Sequence, residues 1–326
     1  FEWLDRWIEH PEDVIRTPGT EANVKEIYDE CSRLEADESN VILNQFSEFS
    51  NHLGHYAVTG PALESIFLKV SSDRPARLAA FVSASGSAGT LGAGDYLKDT
   101  YDTRIVAVEA LEVPTMLYNG FGDHNIQGIG DKHVPLIHNV TNTDLIVGIS
   151  DKATDQLDVA FNSPAGLRAL ERQGVNPDLG SLLTNLGYSS ICNILAAIKS
   201  AKHWDLTDDD VIVTVATDGS ELYNSEREKV MQRDFPGGFD DAEAEKVIAN
   251  HLNNVVVEHI LDMDEANRDR VFNLGYFTWV EQQGISVDDF ECRRDQSWWD
   301  SLRPLINKWD DRISEFNAAT GAKHRK

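Results

Sequence analysis

The sequence predicts an α/β fold, a mainly parallel sheet flanked by helices, on three observations. Short apolar or β-branched runs read as buried strands, stretches of helical period alternate with them, and Gly or Pro stands near several of the joints. Alternation of this kind builds parallel sheets, because a parallel pair needs a crossover long enough to be a helix. The strand candidates are 41–43, 78–83, 104–109, 144–149 and 211–216. The helix candidates are 20–34, 56–70, 88–99, 152–173 and 189–201. After about Leu222 the texture turns charged and helix-rich, with a break at Phe235-Pro236-Gly237-Gly238, which predicts a C-terminal helical extension. Within it Trp279, Trp298, Trp299 and Trp309 are expected to be packing anchors rather than a ligand cage, and residues 323–326 a frayed tail.

Composition narrows the function. With 326 residues, 41% of them hydrophobic, the chain can bury a sizeable core. Its 55 acidic residues outnumber 29 basic ones, and a net charge of −26 repels a phosphate backbone, so nucleic acid is not an expected partner. That charge suits either a surface adapted to a salty cytoplasm or an ordinary acidic enzyme. Cys31, Cys192 and Cys292 form no CxxC pair and leave an odd count, which fits a reducing compartment. No run of about eighteen apolar residues occurs and residues 1–7 are not signal-like, so a cytoplasmic chain without a membrane span is expected.

The sharpest local feature is the strand 78–83 running into Ala84-Ser85-Gly86-Ser87-Ala88-Gly89-Thr90 and then into a helix. Small side chains let the backbone approach a phosphate, the amides at the helix start point inward, and Ser87 and Thr90 add hydroxyl donors. A dinucleotide site is one rival, since Glu109 ends the next strand about twenty residues on, where a ribose-binding acid would stand. The glycines at 86, 89, 92 and 94 give no GxGxxG in a suitable frame, and no GK[ST] follows to make a P-loop. A plain strand-to-helix turn without a ligand is the remaining alternative.

Four ordered segments resemble the cysteine synthase family. FVSASGSAGTLGAGDY at 81–96 resembles that family's strand and phosphate loop, with GSAGT where GTGGT is usual, so that Ser87 and Ala88 depart from the pattern. GDHNIQGIG at 122–130 resembles GPHKIQGIG, and Val134-Pro135 follows in the matching place. HYAVTGP at 55–61, after LNQF at 43–46, is similar to HYxTTGPE after an LxQF strand, and GYSS at 187–190 resembles GISSG. The resemblance covers roughly residues 41–223.

The resemblance implies the tryptophan synthase β-like, type II fold of enzymes dependent on pyridoxal 5'-phosphate (PLP). It implies residues 1–45 as a remnant of the smaller N-terminal domain, 46–222 as the larger PLP-phosphate-binding domain and 223–326 as the helical extension. Gly86, Ser87, Ala88, Gly89 and Thr90 would hold the PLP phosphate, Gly187 would also be cofactor-binding, and Gln127 would bind the substrate carboxylate. Where the family carries a Ser-Ser-Gly turn against the pyridine nitrogen, this chain has Thr217-Asp218-Gly219. Asp218 there would favour a protonated ring and Thr217 a neutral one, and both stand as candidates for the position. Cys192, near a helix start, is either an activated thiol or a small core residue. His124, with Asp123, Asp131 and His133, has no defensible metal spacing, and no metal is expected.

Neither the early SxKDR-like motif carrying the Schiff-base lysine nor the later Ser/Thr-Gly-Asn loop occurs in the chain. Lys25, the first lysine, lies in an acidic helical stretch with the marks of a solvated face. The expectation is a fragment whose catalytic lysine lies upstream of Phe1, inactive alone, from a homodimeric parent. That parent would catalyse β-elimination or β-replacement on an activated serine-type amino acid in cysteine biosynthesis. A type II lyase acting on threonine or a diamino acid, and a non-catalytic binder of a phosphorylated ligand, are the alternatives.

Overall fold

In the computed structural model, residues 8–18 and 24–321 are described. Strands β1 (Arg77–Ala84), β2 (Arg104–Ala110), β3 (Leu145–Ile149), β4 (Asp210–Thr214) and β5 (Ile260–Asp262) form one sheet in the order β4-β1-β2-β3-β5. The first four are parallel and β5 runs antiparallel beside β3. Both faces of the central strands β1, β2 and β3 are covered, which is why these runs are mainly apolar. Ala80, Val82, Val106, Val108, Leu145 and Val147 enter one core, and Phe81, Ile105, Ala107 and Ile146 the other. The helices Asp151–Phe161, Pro164–Arg172 and Tyr188–His203 close the first face, and Gly60–Val70, Leu91–Tyr101 and Glu265–Tyr276 the second.

The chain walks outward from β1 to β2 to β3 and then returns to lay β4 on the far side of β1. Such a reversal parts the connections at the carboxyl ends of the two strands and leaves a crevice there, the usual ligand position in open α/β sheets. Asn193 spans that parting. Its Oδ1 accepts from the Ala84 amide at 2.7 Å and its Nδ2 donates to the Val215 carbonyl at 3.0 Å.

Four of the five expected strands are present with ends moved by one or two residues. The fifth, 41–43, is not a strand: Val41 and Leu43 are 81% and 85% exposed and pair with no strand among the described residues. The stretch 152–173 is two helices rather than one, because Ser163 caps a new start by accepting from the Gly166 amide at 3.0 Å, with Pro164 at its first position. The helix expected from 88 begins at Leu91, since Ala88 has φ 65°, outside the right-handed helical region. A helix occupies Lys25–Glu35, whereas the earlier part of the expected 20–34 helix, residues 1–7 and the tail 323–326 lie outside the described residues.

Beyond Leu222 the chain is mostly helical but also supplies β5, which the sequence reading did not foresee. Trp279 and Trp299 are buried, and Trp298 and Trp309 half-buried. The Trp279 indole donates to the Val134 carbonyl at 2.7 Å, and the buried Arg293 guanidinium donates to the Leu136 carbonyl at 2.6 Å. Gln296 exchanges hydrogen bonds with Asn139. This region therefore grips the segment that follows Gln127.

Candidate functional site

At the β1/β4 parting lies a cleft of about 450 Å³ lined by Ser83, Ala84, Gly86, Ser87, Ala88, Thr90, Gln127, Thr217 and Asp218, among others. Three sequence segments far apart in the chain thus meet at one place. Gly89 and Gly187 do not line the cleft but shape it from behind. A Cβ on Gly89 would come within 2.2 Å of the Asn51 Oδ1, and one on Gly187 within 2.2 Å of the Asp218 Oδ1.

The loop after β1 has the chemistry of an anion cradle. Among the described residues, the amides of Gly86, Ser87, Ala88 and Thr90 donate to no protein acceptor, and that of Gly89 has only a 3.4 Å contact with the Ser87 Oγ. Four unspent donors at the start of the eleven-residue helix Leu91–Tyr101 add to that helix's positive end. Within this row Ala88 takes the left-handed conformation, at a cost of about 1–2 kcal/mol for a residue with a Cβ. The donor set, a helix start and a wall with no room for further side chains fit a phosphate group.

A second loop packs onto the first. The Gly130 amide donates to the Ser85 carbonyl at 2.9 Å, and a Cβ on Gly86 would meet the Gly128 carbonyl at 2.9 Å. His124 uses both ring nitrogens inside this loop, Nε2 to the Gly130 carbonyl at 2.9 Å and Nδ1 accepting from the Ile126 amide at 3.0 Å. It is a loop brace. Gln127 is half-buried, and its Nε2 donates to the Asn125 Oδ1 at 3.1 Å. The anchor is thus the amide nitrogen, which keeps a second N–H for a ligand.

On the opposite wall Asp218 is fixed and Thr217 exposed. The Tyr223 hydroxyl donates to the Asp218 Oδ2, and Tyr223 stacks on buried Tyr188 with ring centroids 4.7 Å apart. The Asp218 Oδ1 is buried with no protein partner, an acceptor left without a donor.

Two alternatives are settled by geometry. Glu109 accepts from the amides of Met116 and Leu117, and burial pushes its carboxyl up to about 7, so it is part of a turn and not a ribose ligand. Cys192 is fully buried and burial pushes its thiol up, which removes the activated-thiol reading. Sequence reasoning missed Asn51 and Asn193, whose partners lie 36 and 109 residues away. No lysine lines the cleft among the described residues, and Lys25 is a surface residue paired with Asp29. No helix among the described residues is long and apolar enough to cross a membrane.

This architecture is the fold of the type II PLP-dependent enzymes. It matches a cysteine synthase from Entamoeba histolytica with a TM-score of 0.52 and 22% identity, covering 74% of this chain and 62% of that one. In sequence the chain is 29% identical over 189 residues to cysteine synthase B of Campylobacter jejuni, and 26% identical over 196 residues to cysteine synthase of Buchnera aphidicola. Those stretches cover 57% of this chain and 54% and 53% of the two relatives, so the chain spans about half the length of the curated relatives it matches. No family model matches it.

Proposed function

We propose that the cleft binds PLP and that the protein catalyses β-elimination or β-replacement on an activated serine-type amino acid. The carrying observation is the row of unspent amides at Gly86, Ser87, Ala88 and Thr90 facing one cleft with Gln127 and Asp218. Bound PLP supplies an electron sink for negative charge at the amino-acid Cα. The cradle, with the Ser87 and Thr90 hydroxyls, holds the phosphate, and Gly89 and Gly187 keep the wall clear. The Asp218 carboxylate would accept a hydrogen bond from a protonated ring nitrogen, with Thr217 as the neutral alternative at the same turn. The free N–H of Gln127 donates to the substrate carboxylate.

In this reading residues 46–222 carry the cofactor phosphate, 1–45 belong to a smaller domain, and the working protein is a homodimer acting on a small amino acid. Because no lysine lines the cleft among the described residues, none of them supplies a covalent attachment, and they hold the cofactor through its phosphate and ring alone. That same observation favours a second reading, a non-catalytic receptor for a phosphorylated ligand.

The test is a PLP titration followed by absorbance and ³¹P NMR, beside Gly86→Val, which fills the cradle against the Gly128 carbonyl. Saturable binding lost in Gly86→Val supports the site. Binding of inorganic phosphate without PLP supports the receptor, and binding of neither refutes both.

A further inference from the structure

We propose that Asn51 is a positioning residue of the anion cradle, fixing the direction in which the Ser87 hydroxyl donates. The inference rests on the cradle being a phosphate site, and it adds a residue outside every segment that pointed to that site. Asn51 lies on the helix Phe49–Gly54, and its Nδ2 donates to the Gln45 carbonyl at 3.0 Å and to the Ser87 Oγ at 3.0 Å. A backbone carbonyl only accepts, so the amide can face it in one sense alone, nitrogen first.

A hydroxyl has two acceptor lone pairs and one proton. The Asn51 amide takes one lone pair, and the Gly89 N–H, at 3.4 Å, lies against the other. The proton is left to donate away from both, and Ser87 lines the cleft. Asn51 thus makes Ser87 a donor there, as an anion requires, and stops it from turning its lone pairs to the ligand.

The surroundings hold Asn51 in place. Its Oδ1 occupies the space above Gly89 that a Cβ would fill. The next residue, His52, is buried and sets its Nε2 3.3 Å from Asp95 on the helix Leu91–Tyr101, whose start forms the cradle. A Cβ on Gly92 would come within 2.3 Å of the His52 carbonyl, so the two helices approach backbone to backbone.

The experiment is a double-mutant cycle on PLP affinity, with Asn51→Ala, Ser87→Ala and the pair, and with Asn51→Asp as a near-isosteric second variant. Affinity is read by fluorescence titration and the phosphate environment by ³¹P shift, and far-UV circular dichroism confirms folding. Losing one oriented donor to a charged phosphate predicts about tenfold weaker binding for Asn51→Ala and for Ser87→Ala, with the pair no worse than Ser87→Ala alone. Asn51→Asp, which draws the Ser87 proton toward itself, should weaken binding more than Asn51→Ala and move the ³¹P signal. Equal losses from Asn51→Ala in the presence and absence of Ser87, or no loss at all while the wild type binds PLP, overturn the role of Asn51. Failure of the wild type to bind PLP overturns the cofactor reading itself.

Discussion

Replacing Asn193 by alanine tests whether the cleft depends on a tie between β1 and β4. The side chain is 1% exposed and makes two bonds, at 2.7 Å and 3.0 Å, to the backbone on either side of the parting. Alanine leaves the Ala84 amide and the Val215 carbonyl without partners. Each such group costs about 1–3 kcal/mol when buried. Water from the neighbouring cleft can recover part of this, which gives an expected loss of about 2–4 kcal/mol, a large share of a domain's usual ~5–15 kcal/mol. Urea unfolding followed by circular dichroism should show the midpoint lowered by about 1 M at an unchanged slope. PLP affinity should fall with it, because Ala84, Val215 and Asn193 all line the cleft. A midpoint within about 0.2 M of wild type, with PLP affinity unchanged, would show that the strand ends hold their separation without the amide.

Three further outcomes are expected. Burial raises Glu109 to about 7 from its ordinary 4.5, so its contribution to stability is complete below about pH 4.5 and is lost as the pH rises through about 7; Glu109→Gln should flatten the melting-temperature profile between pH 5 and 8, and an unchanged slope would contradict the assignment. His138 is held down to about 4 by burial, so it stabilises the fold above its ordinary 6.5 and that contribution disappears as the pH falls through about 4, a loss that His138→Gln should reduce in an acid titration. With a net charge of −26, raising KCl from 0.1 M to 2 M should increase the melting temperature by several degrees, the Debye length shrinking from about 10 Å to below 3 Å, and a fall in melting temperature would show that surface repulsion is not limiting.

What the sequence revealed and what it hid divide by range. The runs around Val82, Val106 and Val147 were legible because strands buried on both faces must be apolar at every position. The cradle was legible because Gly86 to Thr90 combine small residues with a helix start inside one short stretch. Residues 41–43 misled because β-branched composition describes a strand surface but not whether a partner strand is present. The strand at Ile260–Asp262 escaped notice because three residues carry no period. Asn51 and Asn193 were illegible for a different reason: each is a polar residue in a helical stretch, and its importance lies in the distant atoms it reaches, the Ser87 hydroxyl for one and the Ala84 and Val215 backbone for the other.

The bond between the Gly130 amide and the Ser85 carbonyl, with Gly86 pressed against the Gly128 carbonyl, makes a gauge of the two loops. One loop ends in the unspent amides and the other carries Gln127 between its own braces, His124 and the Asn125 contact. Joined at two points, the loops fix the span from the cradle to Gln127 independently of the opposite wall. A ligand is then sorted by its own length, from the anion at one end to the acceptor at the other, before any contact with the opposite wall.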